Sequence, residues 1–292
     1  MLEFIRNTHI DFIGFRKTAY TISIIFTIIA VIGFMRGMTY GVDFSGGTLI
    51  QYRFGKEVPI EDIRAALKQF NLQESVIQRF SPEEVSIRTI KLNEEQKTAF
   101  DKTMKDSFGD VKTVRVEDVG PAVGGELRRG AFVALIIAVL GILIYVGLRF
   151  EFRPAATSCL ALAHDGLIIL GLIAIAGREF NTSVLAAILT ILGYSINDSI
   201  VIMDRIREKL AMRKKEDMKT LINNSLNETL SRTVNTVLTT LLPVVALLFF
   251  GGKMTQDFAL TMLIGLIFGT YSSIFIAAAL FYDWEMRKPL RR

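Results

Sequence analysis

Cysteine and histidine are almost absent from this chain of 292 residues. Cys159 is the only cysteine, so no disulfide framework can form within the chain, and we expect it to be a small packing residue. The two histidines, His9 and His164, are too few for the paired imidazoles of most metal sites. No nucleotide-binding or cofactor motif is recognisable either. The sequence therefore predicts neither a metal nor a cofactor. Any energy source is predicted to be electrochemical or supplied by a partner.

Charged residues are also nearly missing from six long apolar runs. Each run has the roughly 17 to 25 mostly apolar residues that a transmembrane helix needs. The first run does not resemble a cleaved signal peptide, because it lacks an Ala-x-Ala site and runs into Arg36. We therefore predict an α-helical polytopic membrane protein with six transmembrane helices. The predicted spans are 18–35, 130–148, 155–176, 182–203, 233–250 and 258–281.

Lysine and arginine collect in alternate connections between these runs. The segments 1–17, 149–154, 204–232 and 282–292 hold 17 of them, whereas the loops 177–181 and 251–257 hold only Arg178 and Lys253. By the positive-inside rule, both termini and the loop 204–232 are predicted to be cytoplasmic. The net charge of +5 therefore reports membrane topology and does not indicate nucleic-acid binding.

One long polar segment separates the first and second spans and lies on the trans, periplasmic side in this topology. Its pattern predicts strand, helix, strand, strand, helix, strand, at 48–54, 59–70, 75–80, 84–90, 93–108 and 111–116. Asn93 is expected to cap the second helix and Gly109 to end it. This order is that of a ferredoxin-like α+β domain. The predicted domains are 1–36 with the N-terminus and first span, 37–129 as the ferredoxin-like periplasmic domain, and 130–292 as a bundle of the second to sixth spans.

His164, Asp165 and Asp198 are the only ionisable residues within the six runs. An unpaired charge near the bilayer centre costs about 2.5 to 3.5 kcal/mol, and such residues usually mark ion pathways. From the cytoplasmic ends of their spans, Asp165 lies about 16 Å deep and Asp198 about 9 Å deep. The depths differ by roughly one helical turn, so the three side chains could share one site. The alternative for His164 and Asp165 is that they only hydrogen-bond between helices.

The loop before the fifth span has the pattern of an amphipathic helix. Apolar residues recur at helical spacing over 218–234, which predicts a helix along the inner interface that leads into the fifth span. It would serve either as an anchor or in coupling. Arg232 lies at its end, from where it could reach outward to water or inward to Asp198.

Three further features are explained more simply by packing or by local geometry. Gly265, Gly269 and Ser273 form a stripe of small residues that would let another helix approach the sixth span closely. Pro243 is expected to kink the fifth span. Asp43, before a Gly-Gly pair, does not follow a strand and open a helix, as a phosphate-binding loop requires.

Five short motifs are spread along the chain. They are Gly-Val-Asp-Phe-Ser-Gly-Gly-Thr at 41–48, Ala-His-Asp at 163–165, Gly-Tyr-Ser-Ile-Asn-Asp-Ser at 193–199, Asp-Arg-Ile-Arg-Glu at 204–208 and Leu-Ser-Arg-Thr at 230–233. Together they resemble the SecF family of bacterial protein-export membrane subunits, and the resemblance covers essentially the whole chain. It implies an RND-like half, an auxiliary motor of secretion driven by the proton motive force, with Asp198 on the proton pathway and Arg232 as its partner. Asp43, Gly46 and Gly47 would then form the family's turn from the first span into the trans domain.

The same resemblance implies the partners and the location. SecD would supply a similar second half, and the further partners would be the SecYEG translocon with SecA, YajC and YidC, unfolded preprotein and membrane lipids. The location would be the bacterial cytoplasmic (inner) membrane. The residues themselves leave the coupling ion open, since a carboxylate with serine neighbours suits H⁺ or Na⁺.

Other classes of function remain as alternatives. An intramembrane protease could use Ser195 with His164, or Asp165 with Asp198, but neither pair has the sequence surroundings of such enzymes, so we expect no enzymatic activity. A subunit of an RND-type small-molecule or lipid exporter is a second alternative. In a third, the chain is a purely structural translocon scaffold and Asp198 only holds helices together.

Overall fold

A computed structural model describes residues 8–212, 216–251 and 253–288. The chain forms two compact units, of which one comprises Met1–Thr39 with Ala134–Arg292 and the other Tyr40–Val133. The elements, in chain order, are α1 (Arg16–Met35), α2 (Val42–Ser45), β1 (Gly47–Phe54), α3 (Ile60–Lys68), β2 (Val76–Ser81), β3 (Glu84–Thr89), α4 (Glu94–Phe108), β4 (Val111–Val119), α5 (Pro121–Arg149), α6 (Phe152–Ile175), α7 (Thr182–Met212), α8 (Met218–Phe250), α9 (Lys253–Ser272), a π-helical segment (Ser273–Ala277) and α10 (Ala278–Arg287).

Six helices in the described part of the chain are long and apolar enough to cross a membrane, which confirms the predicted number of spans. They are α1, α5, α6, α7, α8 and the last span, which runs from α9 through the π-helical segment into α10. The helices differ in how many residues of their most apolar stretch are buried. The buried share is 44% in α6, 50% in α7 and 56% in the last span, but only 6% in α5 and 11% in α8. The core of this unit therefore lies among α6, α7 and the last span.

Two of these helices are longer or less regular than hydropathy predicted. The predicted amphipathic segment and the fifth span form one continuous helix, α8, because no glycine or proline interrupts the chain between Met218 and Leu242. Pro243 lies inside α8, and its ring removes the hydrogen bond that would reach back to the carbonyl of Thr239. The last span contains a π-helical turn that its sequence did not indicate. Whether Pro243 kinks α8 stays a prediction.

The backbones of α1 and α6 touch where small residues face each other. A Cβ atom placed on Gly171 would lie 2.3 Å from both the Cα and the carbonyl oxygen of Ala30, and one on Gly33 would lie 2.4 Å from the carbonyl oxygen of Gly171. Side chains larger than hydrogen are therefore excluded at both glycines. Such close backbone approach is a common way for membrane helices to associate. The sequence analysis had not identified this crossing.

The smaller unit contains a four-stranded antiparallel sheet in the order β2-β3-β1-β4. The predicted order of strands and helices is confirmed, with boundaries that differ by a few residues, since β4 continues to Val119 instead of 116. The core packs Tyr52 of β1 against Phe100 of α4, with ring centroids 6.0 Å apart. Asn93 caps α4 by accepting a hydrogen bond from the backbone N–H of Gln96, as predicted.

Two carboxylates of this unit link α4 to β4. Burial alone would raise the pKa of Asp118, but hydrogen bonds from Lys97 and from the Thr48 hydroxyl outweigh it and hold that pKa below its usual range. The pKa of Asp101 is lowered in the same way, because hydrogen bonds from Lys105 and Thr113, both 2.6 Å long, outweigh its burial. Both carboxylates therefore stabilise this unit in their ionised forms.

Candidate functional site

A fully buried carboxylate joins three spans of the membrane unit. Asp165 on α6 accepts hydrogen bonds at the same oxygen, Oδ2, from the hydroxyls of Ser195 on α7 and Ser272 on α9, each 2.7 Å long. Its other oxygen, Oδ1, lies 3.2 Å from Nδ1 of His164. Asp165 is thus a hub with a partner for each oxygen, which is the arrangement that a buried carboxylate needs.

Two consecutive serines, where the π-helical turn of the last span begins, contact two different helices. Ser272 bonds Asp165 on α6, while the hydroxyl of Ser273 lies 2.9 Å from that of Ser199 on α7 and donates to the carbonyl oxygen of Ser195 at 3.3 Å. Consecutive residues of a helix are about 100° apart around its axis, which directs the two side chains toward different neighbouring helices. Single π-helical turns inside α-helices occur frequently at functional sites.

Gly265 and Gly269 lie where the last span meets α7. A Cβ atom on Gly265 would be 2.5 Å from Cγ2 of Ile191, and one on Gly269 would be 3.0 Å from Cβ of Ser195 and 3.7 Å from Oδ2 of Asp165. The absence of side chains at both positions brings the last span close enough for its serines to reach the hub.

Asp198 lies about one turn beyond Ser195 on α7, and its environment differs from that of Asp165. It is 3% exposed, and among the described residues its Oδ2 atom has no hydrogen-bond partner. Arg232 on α8 is exposed and within electrostatic range of Asp198, but the two side chains form no salt bridge. The buried hydroxyl of Thr233, next to Arg232, likewise has no partner in the described ranges.

The structure brings together only part of the predicted coupling site. The structure joins His164 to Asp165 and does not join Asp198 to Arg232 or to Asp165 by any hydrogen bond or ion pair. Sequence reasoning missed Ser272 entirely. The Ser272–Ser273 pair inside an apolar run was the available signal, but serine is too common in membrane helices for this signal to stand out.

The geometry does not assemble the proteolytic pairs considered above. The Ser195 hydroxyl donates to Asp165, so it is not directed at His164, and the Nε2 atom of His164 has no partner among the described residues. A nucleophilic serine needs a base within hydrogen-bond reach. The two aspartates are not hydrogen-bonded to each other either, so neither arrangement resembles a catalytic pair.

The Gly-Gly pair starts β1 in a conformation that requires glycine. Gly46 and Gly47 have φ angles of 70° and 122°, in the left-handed region, and a Cβ atom on Gly47 would lie 2.3 Å from the carbonyl oxygen of Thr89 on β3. Asp43 lies in α2, a single helical turn, where a plain turn was predicted. The short helix then leads directly through the two glycines into the sheet.

Long apolar helices that surround buried carboxyl groups are typical of polytopic membrane transport proteins. Residues 99–287 match the family model described as protein export membrane protein SecD/SecF, C-terminal, and residues 31–58 match the SecD/SecF GG motif. The chain belongs to the SecD/SecF family of protein export membrane proteins. This membership places it among the protein translocase subunits of the Sec pathway.

Individual relatives show how much of such a protein the chain represents. It is 42% identical to protein translocase subunit SecF of Desulfurispirillum indicum, over 97% of this chain and 94% of that protein. It is 40% identical to protein translocase subunit SecDF of Thermus thermophilus, over 87% of this chain but only 36% of that protein. The crystal structure of SecDF from the same organism, described as a translocon-associated membrane protein, superposes with a TM-score of 0.89 at 38% identity, over 96% of this chain and 39% of that chain.

Proposed function

We propose that the chain is the SecF half of a SecDF complex that promotes preprotein translocation and release on the trans side of the membrane. The support is the difference in coverage, because the chain matches nearly all of a separate SecF protein and little more than a third of a fused SecDF protein. A separate SecD chain would supply the remainder. SecYEG with SecA, YajC and YidC would be the further partners, in the bacterial inner membrane, with both termini cytoplasmic.

The architecture fits this proposal in two respects. The smaller unit has the element order and the strand order of a ferredoxin-like domain, and we propose that residues 37–129 form this domain on the periplasmic side. Residues 130–292 would complete an RND-like half with the first span. The proposed role contains no enzymatic step.

We infer that the complex uses the proton motive force through Asp198, and one observation carries this inference. Asp198 is buried with an oxygen that has no partner in the part of the chain that the structure describes, whereas Asp165 has partners for both oxygens. A buried polar group without a partner costs about 1–3 kcal/mol, and more when it is charged. Two events would lower this cost: protonation of Asp198, which removes the charge, or the approach of Arg232 from α8, which supplies a partner.

These two events are mutually exclusive ways to neutralise one group, so they couple proton binding to helix position. When Asp198 is protonated, its attraction for Arg232 is lost; when the proton leaves, Arg232 is drawn toward the carboxylate. A change in the position of α8 would then follow each proton.

Contacts near the start of α8, five to nine residues before Arg232, would pass this movement to the first span. Asn227 accepts a hydrogen bond from the backbone N–H of Ile10 and donates one to its carbonyl oxygen, both 2.9 Å long. Asn223 accepts one from the backbone N–H of Ile13 at 3.0 Å. The segment just before α1 is therefore attached to α8, and α1 leads along the chain to the sheet domain.

The test is export of a secreted reporter in cells depleted of the native subunit and supplied with wild type or Asp198→Asn. Asparagine keeps size and hydrogen bonding but cannot release a proton. We expect export to fall to the level of depleted cells, with normal membrane abundance and normal co-purification of SecD. Asp106→Asn, the same change at an exposed carboxylate on α4 outside the motifs named above, is the control and should export normally.

Normal export by Asp198→Asn would overturn the coupling role and leave the scaffold function, with Asp198 as a contact between helices. Separate additions of a protonophore and of a sodium ionophore identify the ion. Export that is sensitive only to the sodium ionophore would replace H⁺ by Na⁺ in the proposal.

A further inference from the structure

A groove of about 440 Å³ opens at the end of the last span, between α1, α6 and α10. Its volume falls within the range of small-molecule sites, which is roughly 300 to 1,000 Å³. It is separate from the buried carboxylates described above. The residues that line it are Tyr20, Thr157, Leu160, Leu280, Asp283, Trp284, Arg287 and Lys288.

The lining changes from apolar to cationic along the groove. Leu280 and Leu160 form the apolar part, and Leu160 is 57% exposed although it lies within an apolar span. Arg287 lies seven residues beyond Leu280 on α10, a distance of about 10 Å along the helix. Arg287 and Lys288 are both exposed, and among the described residues neither side chain has an ion-pair partner. Positive charge is therefore concentrated at one end.

The single carboxylate among these lining residues is already neutralised. Asp283 accepts a hydrogen bond from Nε of Arg16 and another from the hydroxyl of Tyr20, each 3.0 Å long. The charge of Asp283 is thus compensated within the protein, and the cations of Arg287 and Lys288 remain available to bind an anion.

Contacts with α6 hold the cationic end in place. Arg153 donates to the carbonyl oxygen of Lys288 at 2.5 Å and forms a 2.6 Å ion pair with Glu285. Phe152 packs edge-to-face on Trp284, with ring centroids 5.9 Å apart. The groove is therefore formed before a ligand arrives, which lowers the entropic cost of binding.

We propose that this groove binds a phospholipid with an anionic head group. The phosphate would lie between Arg287 and Lys288, beside the aromatic rings of Trp284 and Tyr20, and an acyl chain would lie along Leu160. Tryptophan and tyrosine are enriched at the level of lipid head groups, and basic pockets between membrane helices bind such head groups. A soluble anion would use the cations but would leave the apolar half of the groove unfilled.

Native mass spectrometry of the full chain, purified alone and with co-expressed SecD, tests the proposal. The probes are phosphatidylglycerol and phosphatidylcholine with identical acyl chains, and soluble glycerol phosphate. We expect one phosphatidylglycerol to bind more tightly than phosphatidylcholine. The double variant Arg287→Gln/Lys288→Gln should lose about 30-fold in affinity for phosphatidylglycerol, since each basic residue near an anionic lipid contributes about 1 kcal/mol, and should bind phosphatidylcholine as before.

Two further variants separate the head-group site from general effects of charge. Lys17→Gln/Lys209→Gln removes two cations that do not line the groove and should leave binding unchanged. Leu160→Trp obstructs the apolar part and should weaken the binding of both lipids.

Four results would overturn the proposal. The first is equal binding of the two lipids by the wild type. The second is no loss of phosphatidylglycerol binding in Arg287→Gln/Lys288→Gln. The third is displacement of phosphatidylglycerol by equimolar glycerol phosphate, which would indicate a site for a free anion. The fourth is a selective adduct that disappears when SecD is present, which would show that the groove is a protein interface.

Discussion

Replacing Gly171 with alanine tests whether the direct contact between α1 and α6 holds the membrane unit together. The new Cβ atom would lie 2.3 Å from the Cα and carbonyl oxygen of Ala30. Carbon atoms in contact prefer a separation of about 3.5–4.0 Å. Because the obstructing atoms belong to the backbone, no side-chain rotation relieves the overlap, and α1 must move away by more than about 1 Å.

Gly166, on the same helix, provides a matched control for the size of the effect. A Cβ atom there would have its nearest neighbour, Cδ2 of Leu192, at 3.9 Å, which is ordinary contact. Both substitutions gain the same helix propensity of up to about 1 kcal/mol, so this term cancels in the comparison. The remaining difference is the cost of overpacking, about 1–3 kcal/mol.

The measurement is the free energy of unfolding of Gly171→Ala and Gly166→Ala in mixed detergent micelles, followed by circular dichroism. We expect Gly171→Ala to be less stable than Gly166→Ala by about 1–3 kcal/mol, and Gly166→Ala to be at least as stable as the wild type. Equal stabilities of the two variants would show that α1 does not pack on α6 as described, and would refute the reasoning.

Three further predictions follow from single contacts. Ser272→Ala removes one of the two hydroxyls that donate to Asp165, and should lower the unfolding free energy in the same micelles by about 0.6 to 1.7 kcal/mol; no change would mean that this hydrogen bond contributes nothing. Gly47→Ala places a side chain at a φ of 122°, which should lower the free energy of unfolding by about 1–3 kcal/mol. Amide exchange along β1 and β3 should be faster than in the wild type, and unchanged exchange rates would contradict the strained position. The pKa of Asp118 is lowered in the fold, so its stabilisation is complete above the unfolded value near 3.9 and is lost as the pH falls through the folded pKa. The urea concentration that unfolds the sheet domain should therefore fall below about pH 4, and Asp118→Asn should flatten this dependence; an unchanged dependence in the variant would contradict the role of Asp118.

Much of the fold could be predicted because hydropathy and periodicity are local signals. The six apolar runs and the alternation of strands and helices were both visible in the sequence, and the structure confirms them. Helix ends were less accurate, because hydropathy marks the part of a helix that lies in lipid. Thus α5 begins at Pro121, nine residues before the predicted span, with Glu126, Arg128 and Arg129 inside its first turns. Proline is well suited to a first helical position, and this signal was available.

The site could be predicted only in part, for a physical reason. Asp165 and Asp198 stand out in a sequence because charge in an apolar run is costly. Their partners do not stand out, since a serine costs little in a membrane helix whether or not it is bonded. Which serines meet Asp165 depends on the crossing of three helices, and that crossing has no local sequence period.

The same contacts indicate which helix moves if Asp198 and Arg232 meet during transport. α7 is attached to α6 through Ser195 and to the last span through Ser199, and Gly269 brings the last span against it without a gap. Displacing α7 would break these hydrogen bonds together. α8 has only 11% of its apolar stretch buried and carries the exposed Arg232. Because α7 is held by these hydrogen bonds, we expect Asp198 to stay in place while Arg232 approaches and withdraws with α8, a movement that would act against the ion pairs of Glu228 with Arg205 and Lys209.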